Sequence, residues 1–216
     1  MAKKTILFDM DGVLIDSEVA MSTAAIDALH EWGISPVRED FIPFTGMGER
    51  AFIGGVAEKY GVPYESRMKD LAYHIYGTSR RDLIVVFPNI HEMIVELKNR
   101  GYRVAVASAA DLCKVKVNLE CIGFTPDDFD AVITGSDVEK KKPDPEIYLK
   151  AAAAVGVSTD DCIVVEDAIS GIKAGLAAGM VCIGVASTFS KEKLLEEGAS
   201  VAVTHTPELL DLIASL

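Results

Sequence analysis

No segment of this 216-residue chain approaches the ~20 consecutive apolar residues that a membrane-spanning helix needs. The opening residues, Met1-Ala2-Lys3-Lys4, lack the apolar region of a signal peptide and lead into a strand pattern, so no secretory leader is expected. Cysteine is scarce. Cys113, Cys121, Cys162 and Cys182 are scattered without C-x-x-C spacing, which predicts free, mostly buried thiols in a cytoplasmic protein rather than disulfides or a zinc site. The histidines, His30, His74, His91 and His205, likewise show no metal-ligand spacing and are assigned no chemistry. Positive charge is also short: the formal net charge of -12 argues against nucleic acid or an anionic membrane surface as the main partner. A phosphorylated substrate would need local positive charge from Mg²⁺ or lysines. Internal repeats are absent, and the only low-complexity patch is Lys140-Lys141-Lys142.

What is present is apolar: half of the residues are hydrophobic. A chain of this length buries roughly 70% of its unfolded surface, enough for one large domain or a core with a small accessory unit. From Gly101 onward, β-rich runs (Arg103 to Ala107, Ala131 to Thr134, Cys162 to Val165, Val181 to Val185, Val201 to Val203) alternate with helical spacing. The helical segments are Leu112 to Cys121, Pro145 to Val155 and Ser170 to Ala178. This alternation predicts an α/β fold, a Rossmann-like parallel sheet with flanking helices. Between Asp16 and about Val85 only helical signals occur, over Glu18 to Trp32, Glu49 to Tyr60 and Tyr64 to Tyr76. The expected organisation is therefore an α/β core from 1–16 and 85–216, with an inserted α-helical unit over 17–84. Such an insertion is expected to lie over the strands' carboxyl ends, where α/β sheets bind ligands, and to exclude water there.

The densest chemistry opens the chain. Thr5-Ile6-Leu7 runs into Phe8-Asp9-Met10-Asp11-Gly12-Val13, a buried strand ending in two carboxylates one residue apart. Strand alternation predicts Asp9 and Asp11 on one face and Phe8 and Met10 in the core, with Gly12 turning the chain. Like charges this close resist joint ionisation, so the pair asks for a metal, an acid/base role, or both.

Three further polar clusters end sheet strands. Ser108 closes Arg103 to Ala107 and is followed by small residues that leave backbone N–H groups accessible, as in a phosphate cradle. Lys142 precedes Pro143-Asp144-Pro145, a rigid helix start that can hold a point charge against a phosphate, whereas Lys140 and Lys141 read as solvated. Glu166-Asp167 follows Cys162-Ile163-Val164-Val165, where two acids are costly to bury without a cation. Mg²⁺ suits such hard oxygens.

In this order the four clusters resemble the haloacid dehalogenase superfamily of phosphotransferases. Asp9-Met10-Asp11-Gly12-Val13, Ser108, Lys142-Pro143 and Glu166-Asp167 match its four motifs in turn. The helical insertion resembles that family's small cap. Asp16-Ser17-Glu18 and Lys142-Pro143-Asp144-Pro145 look like the β-phosphoglucomutase branch, and Pro43 to Glu49 also resembles the corresponding domain of the plant suppressor-of-quenching protein. The resemblance implies Asp9 as nucleophile and Asp11 as acid/base. It places Mg²⁺ on Asp9, the Asp11 backbone carbonyl and Asp167, with Glu166 close by, and phosphate on Ser108, Ala109 and Lys142. Gly46, Glu49 and Arg50 would face the substrate from the cap.

An acid at position 11 points to phosphatase or mutase chemistry, because it protonates a leaving oxygen. The mutases of this branch carry a cap histidine and a lysine before the glycine of the specificity loop. Met21 and Thr45 stand at those positions. Hydrolysis of a small sugar or polyol phosphate through an aspartyl-phosphate is therefore expected, from a monomer. The alternatives are a β-phosphoglucomutase-type mutase and a catalytically idle domain that binds a phosphorylated ligand or a protein.

Overall fold

The computed structural model describes residues 5–44 and 48–213. The chain divides into two compact units, 1–16 with 86–216 and 17–85.

In the first unit, β1 (Thr5–Phe8) enters the middle of the sheet and β2 (Ile15–Asp16) leads out of the unit. The chain returns through β3 (Val85–Val86), whose second residue belongs to this unit. It continues through α4 (Ile90–Asn99), β4 (Arg103–Ala107), α5 (Leu112–Ile122) and β5 (Ala131–Ile133). Then follow α6 (Glu146–Val155), β6 (Cys162–Glu166), α7 (Ile169–Ala177), β7 (Val181–Val185), α8 (Lys191–Glu196), β8 (Val201–Val203) and α9 (Leu209–Leu212). The sheet is parallel, in the order β5-β4-β1-β6-β7-β8.

Its central strands are apolar on both faces because both are covered. Leu7, Ala105, Ala107 and Val164 bury against Tyr148, Ala151 and Ile172 of α6 and α7. The alternate set, Ile6, Phe8, Val106 and Val165, is fully buried as well. Strand order reverses at β1, since β4 and β5 extend the sheet on one side and β6 to β8 on the other. The carboxyl edge beside such a reversal is the ligand-binding crevice of open α/β sheets.

The sequence pattern misses α4, because its apolar positions (Ile90, Met93, Ile94, Leu97) directly follow a Pro-Asn turn and precede the alternating region. It also misses β2 and β3, whose two residues each are too short to show alternation. The cysteines are free, but only Cys162 and Cys182, on central strands, are buried; Cys121 is half-buried and Cys113 exposed on α5.

The second unit contains α1 (Glu18–Leu29), α2 (Glu49–Lys59) and α3 (Ser66–Gly77). The small residues Ala20, Ala24, Ala25 and Ala28 of α1 and Ala72 of α3 are buried, and the two helices pack on each other. A 3₁₀ segment, Arg38–Phe44, is anchored by Asp40, whose carboxylate accepts from Val37 N (2.9 Å), Lys59 Nζ (2.5 Å) and Tyr60 Oη (2.7 Å).

Candidate active site

Sheet register brings the motifs to one edge. Phe8 pairs with Val106 on β4 and Val165 on β6, so the next residue, Asp9, falls beside Ala107 and Glu166. The Asp9 amide donates to Val165 O at 3.0 Å. Three chain segments far apart in sequence thus deliver polar groups to one place, because parallel strands all end on the same side.

Lys142 joins them. Its Nζ lies 2.6 Å from Asp9 Oδ1, 2.6 Å from Glu166 Oε1 and 3.2 Å from Ala107 O, and 4.9 Å from the centre of the Tyr148 ring. Glu166 is saturated. Its Oε1 accepts from Lys142 and, at 2.9 Å, from Tyr148 Oη, while Oε2 accepts the Asp167 and Ala168 amides at 3.0 Å each. Four donors fill the lone-pair sites of a carboxylate. Asp167 Oδ2 accepts from Ser187 Oγ at 3.3 Å and from Thr188 Oγ1. Ser187 Oγ also donates to Gly12 O at 2.6 Å, tying the first motif to the loop after β7.

Asp9, Glu166 and Asp167 each offer an oxygen within 4.8 Å of the others. All three are buried, and their electrostatics express the crowding. Burial, followed by the Glu166 and Asp167 charges, holds Asp9 well above the usual carboxylate range against the opposing pull of Lys142. Burial and Glu166 push Asp167 up to about 7, although Thr188, Lys142 and Ser187 pull the other way. Burial acts to lower Lys142, but the Asp9 and Glu166 charges outweigh it and hold the ammonium above its ordinary value. One ammonium among three buried carboxylates leaves negative charge to neutralise, and the donors are hard oxygens. A divalent cation of the Mg²⁺ type fits.

Two glycines make the cluster sterically feasible. A Cβ on Gly12 would come within 2.0 Å of Asp167 Oδ2, and one on Gly171 within 1.8 Å of Glu166 Oε1. Gly12 also has φ +76°, where a side chain is strained. Gly12→Ala is expected to cost about 1–3 kcal/mol of stability from backbone strain and displacement of Asp167. Urea unfolding that matches wild type would show that the Asp167 carboxylate is not seated against this turn.

The strand alternation expected to place Asp9 and Asp11 together ends at Phe8. Asp11 Oδ2 pairs instead with Lys114 Nζ at 2.7 Å, and the three-carboxylate cluster does not include it. Ser108 is buried, and its Oγ accepts the Ala110 amide at 3.2 Å; Ala109 is half-buried at the same turn. In the helical unit, Arg50 lines a cavity of about 280 Å³ with Phe44, Glu58 and Tyr64, its guanidinium 5.6 Å from the Tyr64 ring centre. Glu49 opens α2, whereas Gly46 and Thr45 lie outside the described residues. Met21 is buried in its own unit.

Lys114, Tyr148, Ser187 and Thr188 are the site residues that sequence reasoning missed. Ser187 and Thr188 do stand just beyond a β-rich run, the position that singled out the other clusters.

A parallel sheet reversing at β1, with a buried acidic cluster and Lys142 on its carboxyl edge, defines a Rossmann-like α/β core with its candidate active site in the crevice at that edge. The family profile "Haloacid dehalogenase-like hydrolase" matches residues 6–185, and the chain belongs to that family. It is 40% identical over 200 residues to the Arabidopsis thaliana chloroplastic protein SUPPRESSOR OF QUENCHING 1, covering 91% of this chain but only 19% of that protein. It is 27% identical to the phosphorylated carbohydrates phosphatase of Thermotoga maritima, over 97% of this chain and 98% of that one. Among solved structures, β-phosphoglucomutase of Clostridium difficile superposes with a TM-score of 0.80 at 26% identity, covering all of this chain and 96% of that one. The neighbours thus include β-phosphoglucomutase-like proteins. Among the described residues, no helix is long and apolar enough to cross a membrane.

Proposed function

We propose that this chain is a Mg²⁺-dependent phosphatase that hydrolyses a small phosphorylated metabolite, of the sugar or polyol phosphate class, through an aspartyl-phosphate on Asp9. The observation that carries the reading is the buried Asp9 carboxylate held at 2.6 Å by Lys142 beside Glu166 and Asp167. That arrangement supplies a nucleophile, a fixed positive charge and a cation site together.

Asp9 and Asp167 are the direct ligands in this reading, with the Asp11 carbonyl. Glu166, saturated by four protein donors, orients Lys142 and the Asp167 backbone rather than giving an oxygen to the ion. The bound cation supplies charge neutralisation for the transferring phosphoryl oxygens and allows the carboxylates to stay ionised. Asp9 attacks phosphorus in line with the ester oxygen. Lys142, Ser108 and the Ala109 amide hold the equatorial oxygens, where charge spreads during transfer. Asp11 gives a proton to the departing oxygen and later takes one from the attacking water. The helical unit selects the substrate, with Gly46, Glu49 and Arg50 as its candidate groups. A buried methionine at position 21 transfers no proton, which favours water over a second sugar hydroxyl as acceptor. Free thiols at all four cysteines fit a reducing compartment such as the cytoplasm.

The test is phosphate release from a panel of sugar, polyol and other small monophosphates, with Mg²⁺ or with EDTA. Metal-dependent release from at least one member is expected. Faster interconversion of β-glucose 1-phosphate and glucose 6-phosphate than phosphate release would establish the mutase reading instead. Background turnover throughout would leave a ligand-binding domain.

Metal binding should also be pH-dependent. Because Asp167 is pushed up to about 7 and Asp9 is also raised, binding Mg²⁺ must displace protons near neutrality. For each proton displaced, affinity should fall about tenfold per pH unit below that value and level off above it. Calorimetric titration in two buffers of different ionisation enthalpy reads the released protons. Equal affinity at pH 5.5 and pH 8 would contradict the assignment of these carboxylates as ligands.

A further inference from the structure

α5 follows the Ser108 turn, and Lys114 lies in its first turn, its amide donating to Asp111 O at 3.0 Å. A cation there faces the positive end of the helix dipole, the unfavourable end. The side chain is nevertheless buried, only 6% exposed, and burying an ammonium is costly without strong partners. The structure sets the Asp11 carboxylate against it, Oδ2 to Nζ at 2.7 Å, across 103 residues of sequence. Asp11 itself is 36% exposed at the side chain. A buried lysine placed against both its helix dipole and its desolvation cost breaks a local rule, and such breaks concentrate at functional sites.

We propose that Lys114 is a positioning residue that holds the Asp11 carboxyl group, through Oδ2, in the orientation from which Asp11 exchanges protons with the ester oxygen and with water. This rests on the phosphatase reading above. As an Asp9 oxygen bonds to phosphorus and the ester P–O bond breaks, the departing oxygen takes the proton of the Asp11 carboxyl group. As water attacks and the P–O bond to Asp9 breaks, the water's proton returns to Asp11. Lys114 keeps its own protons throughout, because Oδ2 accepts its hydrogen bond whether Asp11 is ionised or protonated.

Leaving-group dependence separates this role from a merely structural one. p-Nitrophenyl phosphate departs as a stable phenolate without needing a proton, whereas an alkyl monophosphate does need one. With Mg²⁺, kcat/KM is measured on p-nitrophenyl phosphate and on the fastest alkyl ester of the metabolite panel. The variants are Lys114→Met, Lys114→Arg, Asp11→Asn and the Lys114→Met/Asp11→Asn pair. Lys114→Met should lose roughly 10-fold more on the alkyl than on the aryl ester, a fraction of the 10²–10⁴ that acid–base catalysis supplies. Lys114→Arg should restore most of the alkyl activity, and Lys114→Met should add no further loss once Asp11 is Asn. Equal losses on both esters, or losses that multiply in the double variant, overturn the role while leaving the phosphatase reading standing. A wild type inactive on both esters overturns the phosphatase reading itself, and one active on the aryl ester alone removes any proton transfer for Lys114 to assist. Should Lys114→Met fail to fold, Lys114→Gln is put through the same comparisons.

Discussion

Asp9→Asn should lose roughly 10³- to 10⁶-fold in phosphate release, the scale on which removal of a covalent nucleophile is felt, without losing stability in metal-free buffer. Asparagine has nearly the same shape, and its oxygen can still accept from Lys142, but it cannot form an acyl phosphate. The stability half follows from the electrostatics. The folded protein holds Asp9 well above the usual carboxylate range, chiefly through burial. A carboxyl whose folded pKa is raised binds its proton more tightly folded than unfolded, so its ionised form costs stability at neutral pH. A neutral amide escapes that cost. Thermal unfolding without metal should therefore give a melting temperature equal to or above wild type. Activity within tenfold of wild type would remove Asp9 as nucleophile, whatever the melting curve.

Lys142→Met should be the opposite case, damaging both activity and stability. Lys142 is 8% exposed and is the shared ion-pair partner of Asp9 and Glu166. Truncating one member of a buried ionic group leaves the others uncompensated, at about 3–5 kcal/mol. The sign is definite: a lysine whose folded pKa is raised contributes stability that is fully present below its unfolded pKa, near 10.4, and is lost only as pH rises through the folded value. The whole effect should therefore be visible at pH 7. Part of it should return in Lys142→Met/Glu166→Gln, which removes one of the stranded charges. Chemical denaturation of the three proteins reads this directly. A Lys142→Met protein as stable as wild type would mean that Lys142 is not the ion-pair partner that holds Asp9 and Glu166 at this edge.

Much of the fold was legible because strand and helix periodicities are local. The β-rich runs 103–107, 162–165 and 181–185 stand out because strands covered on both faces must be apolar throughout. Asp9, Ser108 and Glu166-Asp167 were legible for the same reason, as polar residues abruptly ending apolar runs. Lys142 is different. From the sequence it is one of three consecutive lysines, and only its motif context separates it from Lys140, which remains exposed with a longer, 3.7 Å pair to Asp144. Lys114 had no local mark except a charge at the unfavourable end of a helix.

The sequence by itself determined which segments become strands, that a helical unit follows β1, and which acids stand at strand ends, since all of these depend on neighbours a few residues away. Tertiary structure alone decided how those groups pair. It gave Asp9 and Glu166 a common lysine, turned Asp11 towards Lys114 instead of the acidic cluster, and set Ser187 and Thr188 on Asp167. Register and side-chain direction across the sheet's carboxyl edge fix such pairings, and these arise from packing residues 20 to 133 positions apart, beyond the reach of strand and helix periodicity.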